Sequence, residues 1–293
     1  MSRPSDHDLE LSEEEFRLLR DFVHERFGLF FEDSQRASFK ARLAGRLASL
    51  DLRSFEDYYH YLRFGPQRNE ELRSVITHLT NNETYFYREP SQLQVFGEHV
   101  LRAVKERKGT ASERRLRILS AGCSTGEEPY TLAMIVYDSG QFFWNWEVQV
   151  VGLDVDSGAL DKARRAVYFH NSFRSTRPDA LERHFVRKGT GQEVKDGVRR
   201  LVQFREGNLL EAASYEGLAP VDVVLCRNVL IYFSDEAIRR VVRHFYELLT
   251  GGGFLFLGHA ESLARITDAF TPVRFKGAMI YQKPERAPSE AAP

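Results

Sequence analysis

The chain has 293 residues, 42% of them hydrophobic, enough to bury a core in one large domain or two modest ones. Its 41 Lys and Arg against 42 Asp and Glu leave a net charge of -1, which excludes a molecule-wide polyanion binder and confines any nucleic-acid role to a local patch. The two cysteines, Cys123 and Cys226, lack paired-thiol spacing, so no disulfide framework and no metal site are expected and a reducing compartment fits best.

In chain order, the opening MSRPSDHDLELSEEE is acidic and polar, unlike a secretory leader. No apolar run approaches the roughly 20 residues that span a bilayer, so a cytoplasmic location is expected. From Leu9 to about Thr80 the pattern is helical. Ser12 with Glu15 makes a capping box ahead of Phe16, Leu19, Val23 and Phe27; Ser54 with Asp57 repeats it ahead of Phe55, Tyr58, Tyr59 and Leu62, and Gly65-Pro66 closes that segment. Between them, Phe39, Leu43, Leu47 and Leu50 mark a buried helix face, which leaves Arg36, Lys40, Arg42 and Arg46 to solvent or to a docking partner.

After Leu116 the texture becomes strands alternating with amphipathic helices, the rhythm of a parallel sheet covered on both faces. RILSA, VQVVGLDVD, the stretch around Val202 to Phe204, VDVVLCRN and FLFLG read as strands. PYTLAMIVYD reads as a helix, and so does SDEAIRRVVRHFYELLTGGG, with Ser234 as its cap and the glycines as its stop. RFKGAMIYQK closes the fold as part of an antiparallel hairpin, and APSEAAP reads as an unstructured tail. From Lys162 to Arg205 there are twelve Lys or Arg and four Asp or Glu, with turn signals at Gly189-Thr190-Gly191 and Asp196-Gly197. This is a basic hairpin insertion, facing either solvent or an acidic partner.

Residues Ser120 to Pro129, SAGCSTGEEP, sit where an α/β sheet binds its ligand. A phosphate loop would offer bare N–H groups and a lysine, but Glu127 and Glu128 open the next helix and no G-K-[ST] follows Gly126. An esterase would use Ser124 with Asp222 and His259, but only helix precedes the loop and no oxyanion segment is present. S-adenosylmethionine, cationic and phosphate-free, suits the carboxylates, and Gly122 and Gly126 let the backbone approach it closely. Asp154 ends the second strand as the expected ribose ligand, while Asp156 reads as a helix cap. Asn208 in GNLL offers a donor and an acceptor to an adenine edge or serves only its turn, and Arg227-Asn228 line the same rim.

With LTNNETYFYRE, SAGCSTGEEPY, GLDVD, GNLL, CRNVLIYF and GGGFLFLGHAESL, the sequence resembles the CheR family of chemotaxis-receptor glutamate O-methyltransferases across nearly its whole length. The resemblance implies an α/β, S-adenosylmethionine-dependent methyltransferase fold: a Rossmann-like, mostly parallel seven-stranded sheet with a small inserted β-subdomain and an N-terminal all-helical domain. The implied layout is a helical domain at 1–88, a linker helix at 89–110, a methyltransferase domain at 111–284 with the insertion at about 170–202, and a tail at 285–293. Cofactor contacts implied beside Gly122 are Asn82, Thr84, Arg88, Glu127, Asp154, Asn208, Leu209, Arg227 and Asn228, with Arg88 and Tyr232 nearest the reacting carboxylate. The implied partner is a chemoreceptor helical bundle docked on Arg36, Lys40, Arg42 and Arg46. Glu83 and the run Phe86-Tyr87-Arg88 depart from the family's usual residues. An RNA methyltransferase drawing on the basic insertion and a non-catalytic cofactor-sensing adaptor are the competing readings.

Overall fold

The computed structural model describes residues 9–80, 82–109, 114–218 and 220–285. The polar opening up to Asp8 and all of the expected tail after Glu285 lie outside them. The chain forms two compact units, one running to residue 81 and including Tyr232–Ala237, the other containing the rest.

The helical unit holds α1 (Glu13–Phe27), α2 (Arg36–Ser49), α3 (Phe55–Phe64) and α4 (Arg68–Leu79). The Ser12–Glu15 capping box is formed in both directions and Gly28 ends α1 in the left-handed region, as the spacing predicts. Phe16, Leu19, Val23 and Phe27 are buried, and Phe39 receives the edges of Phe16 at 5.3 Å and Phe31 at 5.0 Å. The expectation that all four basic residues of α2 face solvent fails. Arg46 Nε donates to the buried Glu71 carboxylate (3.0 Å), which also accepts from Tyr58 Oη (2.6 Å). Arg42 donates to the Leu79 carbonyl, while Arg36 lies 3.5 Å from Glu13. A carboxylate without a cation would be costly inside a helical core, and α2 supplies that cation from its supposed outer face.

In the second unit, α5 (Pro90–Val95), a π-helical turn (Phe96–Val100) and α6 (Leu101–Lys108) lead into β1 (Arg115–Ala121). Then come α7 (Glu127–Ser139), β2 (Glu147–Asp154), α8 (Ser157–Arg165), β3 (Val167–Tyr168), α9 (Pro178–His184), β4 (Phe185–Lys188), β5 (Gly191–Val194), α10 (Asp196–Arg199) and β6 (Val202–Glu206). After β7 (Val221–Cys226), α11 (Asp235–Leu248) and β8 (Leu249–Leu257), the strands β9 (Thr271–Phe275) and β10 (Ala278–Gln282) close the chain as the expected hairpin.

Seven strands make one sheet in the order β6-β2-β1-β7-β8-β10-β9, parallel except where β10 pairs with β8 and β9. The order reverses between β1 and β7, so the carboxyl ends of these two strands frame the crevice. The inserted β-subdomain is the three-stranded sheet β3-β5-β4. Its cations are largely engaged: Arg183 with Asp138, Arg199 and Lys188 with Glu193, Arg177 with Asp179.

Two boundaries differ from expectation. Residues 82–88 pack in the second unit, where Phe86 is fully buried between Tyr168, Phe173 and Phe185. The segment at 89–110 is no free linker, because Leu93, Phe96, Val100 and Leu101 join the core formed by Ile118, Met134, Val223 and Phe256. The glycines after α11 do not stop that helix either; it ends at Leu248, and Gly251 to Gly253 lie within β8.

Candidate functional site

The loop between β1 and α7 is built from residues that tolerate a left-handed backbone. Gly122 has φ +74° and Gly126 φ +93°, and a Cβ on Gly122 would stand 2.4 Å from Val229 Cγ2. Ser124 reaches φ 48° without being glycine. It is held there by its N–H, which donates to Asp154 Oδ2 (2.7 Å), and by its hydroxyl, which bonds Asn82 Oδ1 (3.2 Å). Asn82 Nδ2 in turn donates to Asp156 Oδ2 (2.8 Å), and Asp156 caps α8 as its position predicts. Asn82, Ser124, Asp154 and Asp156 thus form one connected network at the end of β2. Burial pushes the Asp154 carboxyl up to about 6, against the pull of the Asp156 and Ser124 N–H groups.

The two glutamates that open α7 diverge. Glu127 is buried, accepting from Thr125 (2.6 Å) and Ser172 (2.9 Å), and burial raises its pKa. Glu128 accepts from Ser120 (2.7 Å) and from Arg227 Nε (2.6 Å), so a guanidinium already balances its charge. Sequence reasoning treats both as free carboxylates, and the partner that neutralises one of them lies 99 residues away. Arg227 also donates to the Arg88 carbonyl (2.9 Å), tying the 82–88 segment to the end of β7.

Asn228, at φ 61°, follows in the left-handed region. Its N–H, with those of Gly258, Val229 and Ile231, donates to the single carboxylate of Glu261. Sequence reasoning does not single out Glu261 in GHAESL, where only a Glu after a strand-ending glycine signals a role. It misses Glu89 as well: at φ 57° this residue precedes Pro90, which opens α5. Its Oε2 lies 3.7 Å from the Arg227 guanidinium and its Oε1 accepts from Asn228 Nδ2 (3.3 Å), while Asn228 Oδ1 is a buried acceptor without a hydrogen-bond partner among the described residues.

Asn208 uses Oδ1 on the Leu210 N–H (3.0 Å), the turn chemistry expected of it, beside the buried Leu209. Thr84 is half-buried on the 82–88 segment. Arg88 donates to the Glu83 carbonyl (2.9 Å) through one end of its guanidinium. Tyr232 belongs to the helical unit, 38% exposed, its carbonyl accepting from Phe30 N–H.

An esterase triad is not assembled. Ser124 follows β1 at its carboxyl end, whereas Asp222 is the second residue of the adjacent parallel strand β7 and is bound by Arg107 and Lys108. Among the described residues no group of three or more His, Cys, Asp or Glu could hold a metal ion, and no helix is long and apolar enough to cross a membrane.

The arrangement fits S-adenosylmethionine by the chemistry of its walls. The turn at Gly122, packed too closely on Val229 to admit a Cβ, leads to the buried carboxylates of Glu127 and Asp154, and Asn228 Oδ1 is a buried acceptor without a hydrogen-bond partner among the described residues. Cationic and hydroxyl-bearing groups satisfy such a set; a pyrophosphate does not.

Residues 82–278 match the family described as CheR methyltransferase, SAM binding domain, and residues 14–80 match CheR methyltransferase, all-alpha domain. The chain is 36% identical over 286 residues to Chemotaxis protein methyltransferase 2 of Vibrio cholerae serotype O1, covering 97% of this chain and 98% of the relative. It is 34% identical over 279 residues to Chemotaxis protein methyltransferase of Escherichia coli strain K12, covering 93% and 92%. Probable biofilm formation methyltransferase WspC of Pseudomonas aeruginosa is 32% identical over 268 residues, covering 92% of this chain and 62% of the relative.

Proposed function

The chain belongs to the CheR methyltransferase family and is an S-adenosylmethionine-dependent enzyme, and from that premise we propose that it methylates glutamate side chains of chemoreceptors for sensory adaptation. The observation that supports this reading is the glycine turn at Gly122, whose loop is tied to the buried Asp154 and opens into the buried Glu127. Asn82, Thr84, Arg88, Gly122, Glu127, Asp154, Asn208, Leu209, Arg227 and Asn228 hold the cofactor in this reading, with Arg227 acting mainly by fixing Glu128 and the Arg88 carbonyl.

S-adenosylmethionine supplies the methyl group: a carboxylate oxygen forms the C–O bond while the C–S pair returns to sulfur, leaving an ester and a neutral thioether. A glutamate carboxyl ordinarily titrates at about 4.3, so the acceptor is already ionised at neutral pH and the protein supplies no strong base. Its residues supply alignment, which in favourable cases is worth about 7–11 kcal/mol. Arg88 orients the acceptor carboxylate with its guanidinium N–H groups, and Tyr232 is the hydrogen-bond donor that the family resemblance implies. Dry walls favour the merging of opposite charges.

Receptor-bearing membranes incubated with labelled cofactor test the function. The product is expected to release volatile methanol in mild base, as carboxyl methyl esters do. A base-stable methyl product would move the acceptor to nitrogen or to a nucleic-acid base.

A further inference from the structure

Glu83 and Tyr85 surround Arg88 with contacts that the proposed mechanism does not use. Arg174, in the inserted subdomain, places its guanidinium 3.7 Å from the centre of the Tyr85 ring and pairs with Glu83 at 2.6 Å. Arg88 lies over the same ring at 5.7 Å while donating to the Glu83 carbonyl. One tyrosine ring is thus shared by two guanidinium groups. Both partners are anchored from below: the Phe86 N–H donates to the Ser172 carbonyl (2.9 Å), and Phe86 stacks on Phe173 at 5.4 Å.

An exposed ion pair such as Arg174–Glu83, with side chains 42% and 60% exposed, contributes little stability and so does not by itself account for the arrangement. The stack brings two planar, always charged forks to one ring. We propose that Tyr85 is a positioning residue for Arg88, and that Arg174 is a second acceptor-binding cation that takes another acidic residue of the same acceptor segment. The proposal rests on the reading of the acceptor as a glutamate carboxylate. On a helical acceptor, carboxylates three or four residues apart have Cβ atoms about 5–6 Å apart, a spacing two long arginines on one ring can bridge. The acceptor class is therefore a helix with an acidic residue one turn from the methylated glutamate.

Steady-state methyl transfer at several salt concentrations tests it, with S-adenosylhomocysteine affinity measured alongside. Arg174→Ala should raise KM for the acceptor roughly two- to fivefold and flatten its salt dependence, leaving kcat and product affinity unchanged. Tyr85→Leu should lower kcat as well, and Tyr85→Phe, which keeps the ring face, should restore it. Changing the acidic residue one turn from the target to Gln should abolish the further effect of Arg174→Ala. If Arg174→Ala and Tyr85→Leu match wild type while Arg88→Ala is impaired, the stack has no role in acceptor recognition. If Arg88→Ala itself turns over at the wild-type rate, the acceptor site lies elsewhere and the reading beneath the proposal fails.

Discussion

Asp154 carries the plainest consequence of burial. Its carboxyl pKa rises from 3.8 to about 6, so between roughly pH 4 and 6 the folded chain holds a proton that the unfolded chain has released. Stability therefore falls as pH rises through that window, and the cost, about 3 kcal/mol for a shift of about two units, is fully present above pH 6. A ligand that donates hydroxyls to the ionised carboxylate offsets that cost. S-adenosylhomocysteine should consequently raise the melting temperature more at pH 7.5 than at pH 5, its affinity falling up to about tenfold per unit below pH 6; a flat calorimetric profile from pH 5 to 8 would remove Asp154 from the site. The position of Asp154, at a strand end tied to the glycine loop, is legible in the sequence from the strand pattern of VQVVGLDVD. Glu128, Glu261 and Arg174 are not, because each is defined by a distant partner: Arg227, the N–H groups around Asn228, and Tyr85.

Capping signals set the elements well where the cap is local. Ser12, Ser54 and Asp156 all cap the helices assigned to them. The glycines after α11 mislead because their freedom serves a strand: Gly253 lies close under the Thr250 and Asp222 carbonyls. The β1–α7 turn depends on glycine in a stricter way. Gly122→Ala adds about 1 kcal/mol of backbone strain and a collision with Val229, so it should destabilise the methyltransferase unit and weaken product binding. Adding Val229→Ala should recover the collision part and leave the strain, a split that denaturant melts of the two variants can read; no recovery would show that Val229 can move aside. On α2, Arg42 and Arg46 bond within the helical unit and Arg36 makes an exposed pair with Glu13, so Arg36 and Lys40 are the proposed receptor-facing cations. Reversing both to Glu should raise the apparent KM for receptor and leave S-adenosylhomocysteine binding unchanged, and unaltered receptor kinetics would make them an ordinary solvated face.

At the scale of the molecule, the alternation of strand and helix after Leu116 predicts the parallel sheet, and the turn signal at Gly189 predicts the β4–β5 hairpin, whereas Asp196-Gly197 opens α10 instead of a turn. The boundary near Arg88 is hidden from sequence because LTNNETYFYRE continues the polar texture of the helices before it, while its one buried aromatic, Phe86, finds its core 82 or more residues downstream. The near-zero net charge conceals a local organisation of opposite sign: buried carboxylates at Glu127 and Asp154, the proposed cofactor site, and two guanidinium groups, Arg88 and Arg174, on the Tyr85 ring. This cofactor site is proposed to select a phosphate-free nucleoside bearing an ammonium group and ribose hydroxyls over a nucleoside diphosphate. Calorimetric titration with S-adenosylhomocysteine and with ADP tests it most directly: the thioether should bind saturably and about tenfold or more weakly to Asp154→Ala, and ADP should give no binding heat. Equal binding of ADP, or an Asp154→Ala variant that binds the thioether as wild type does, would contradict it.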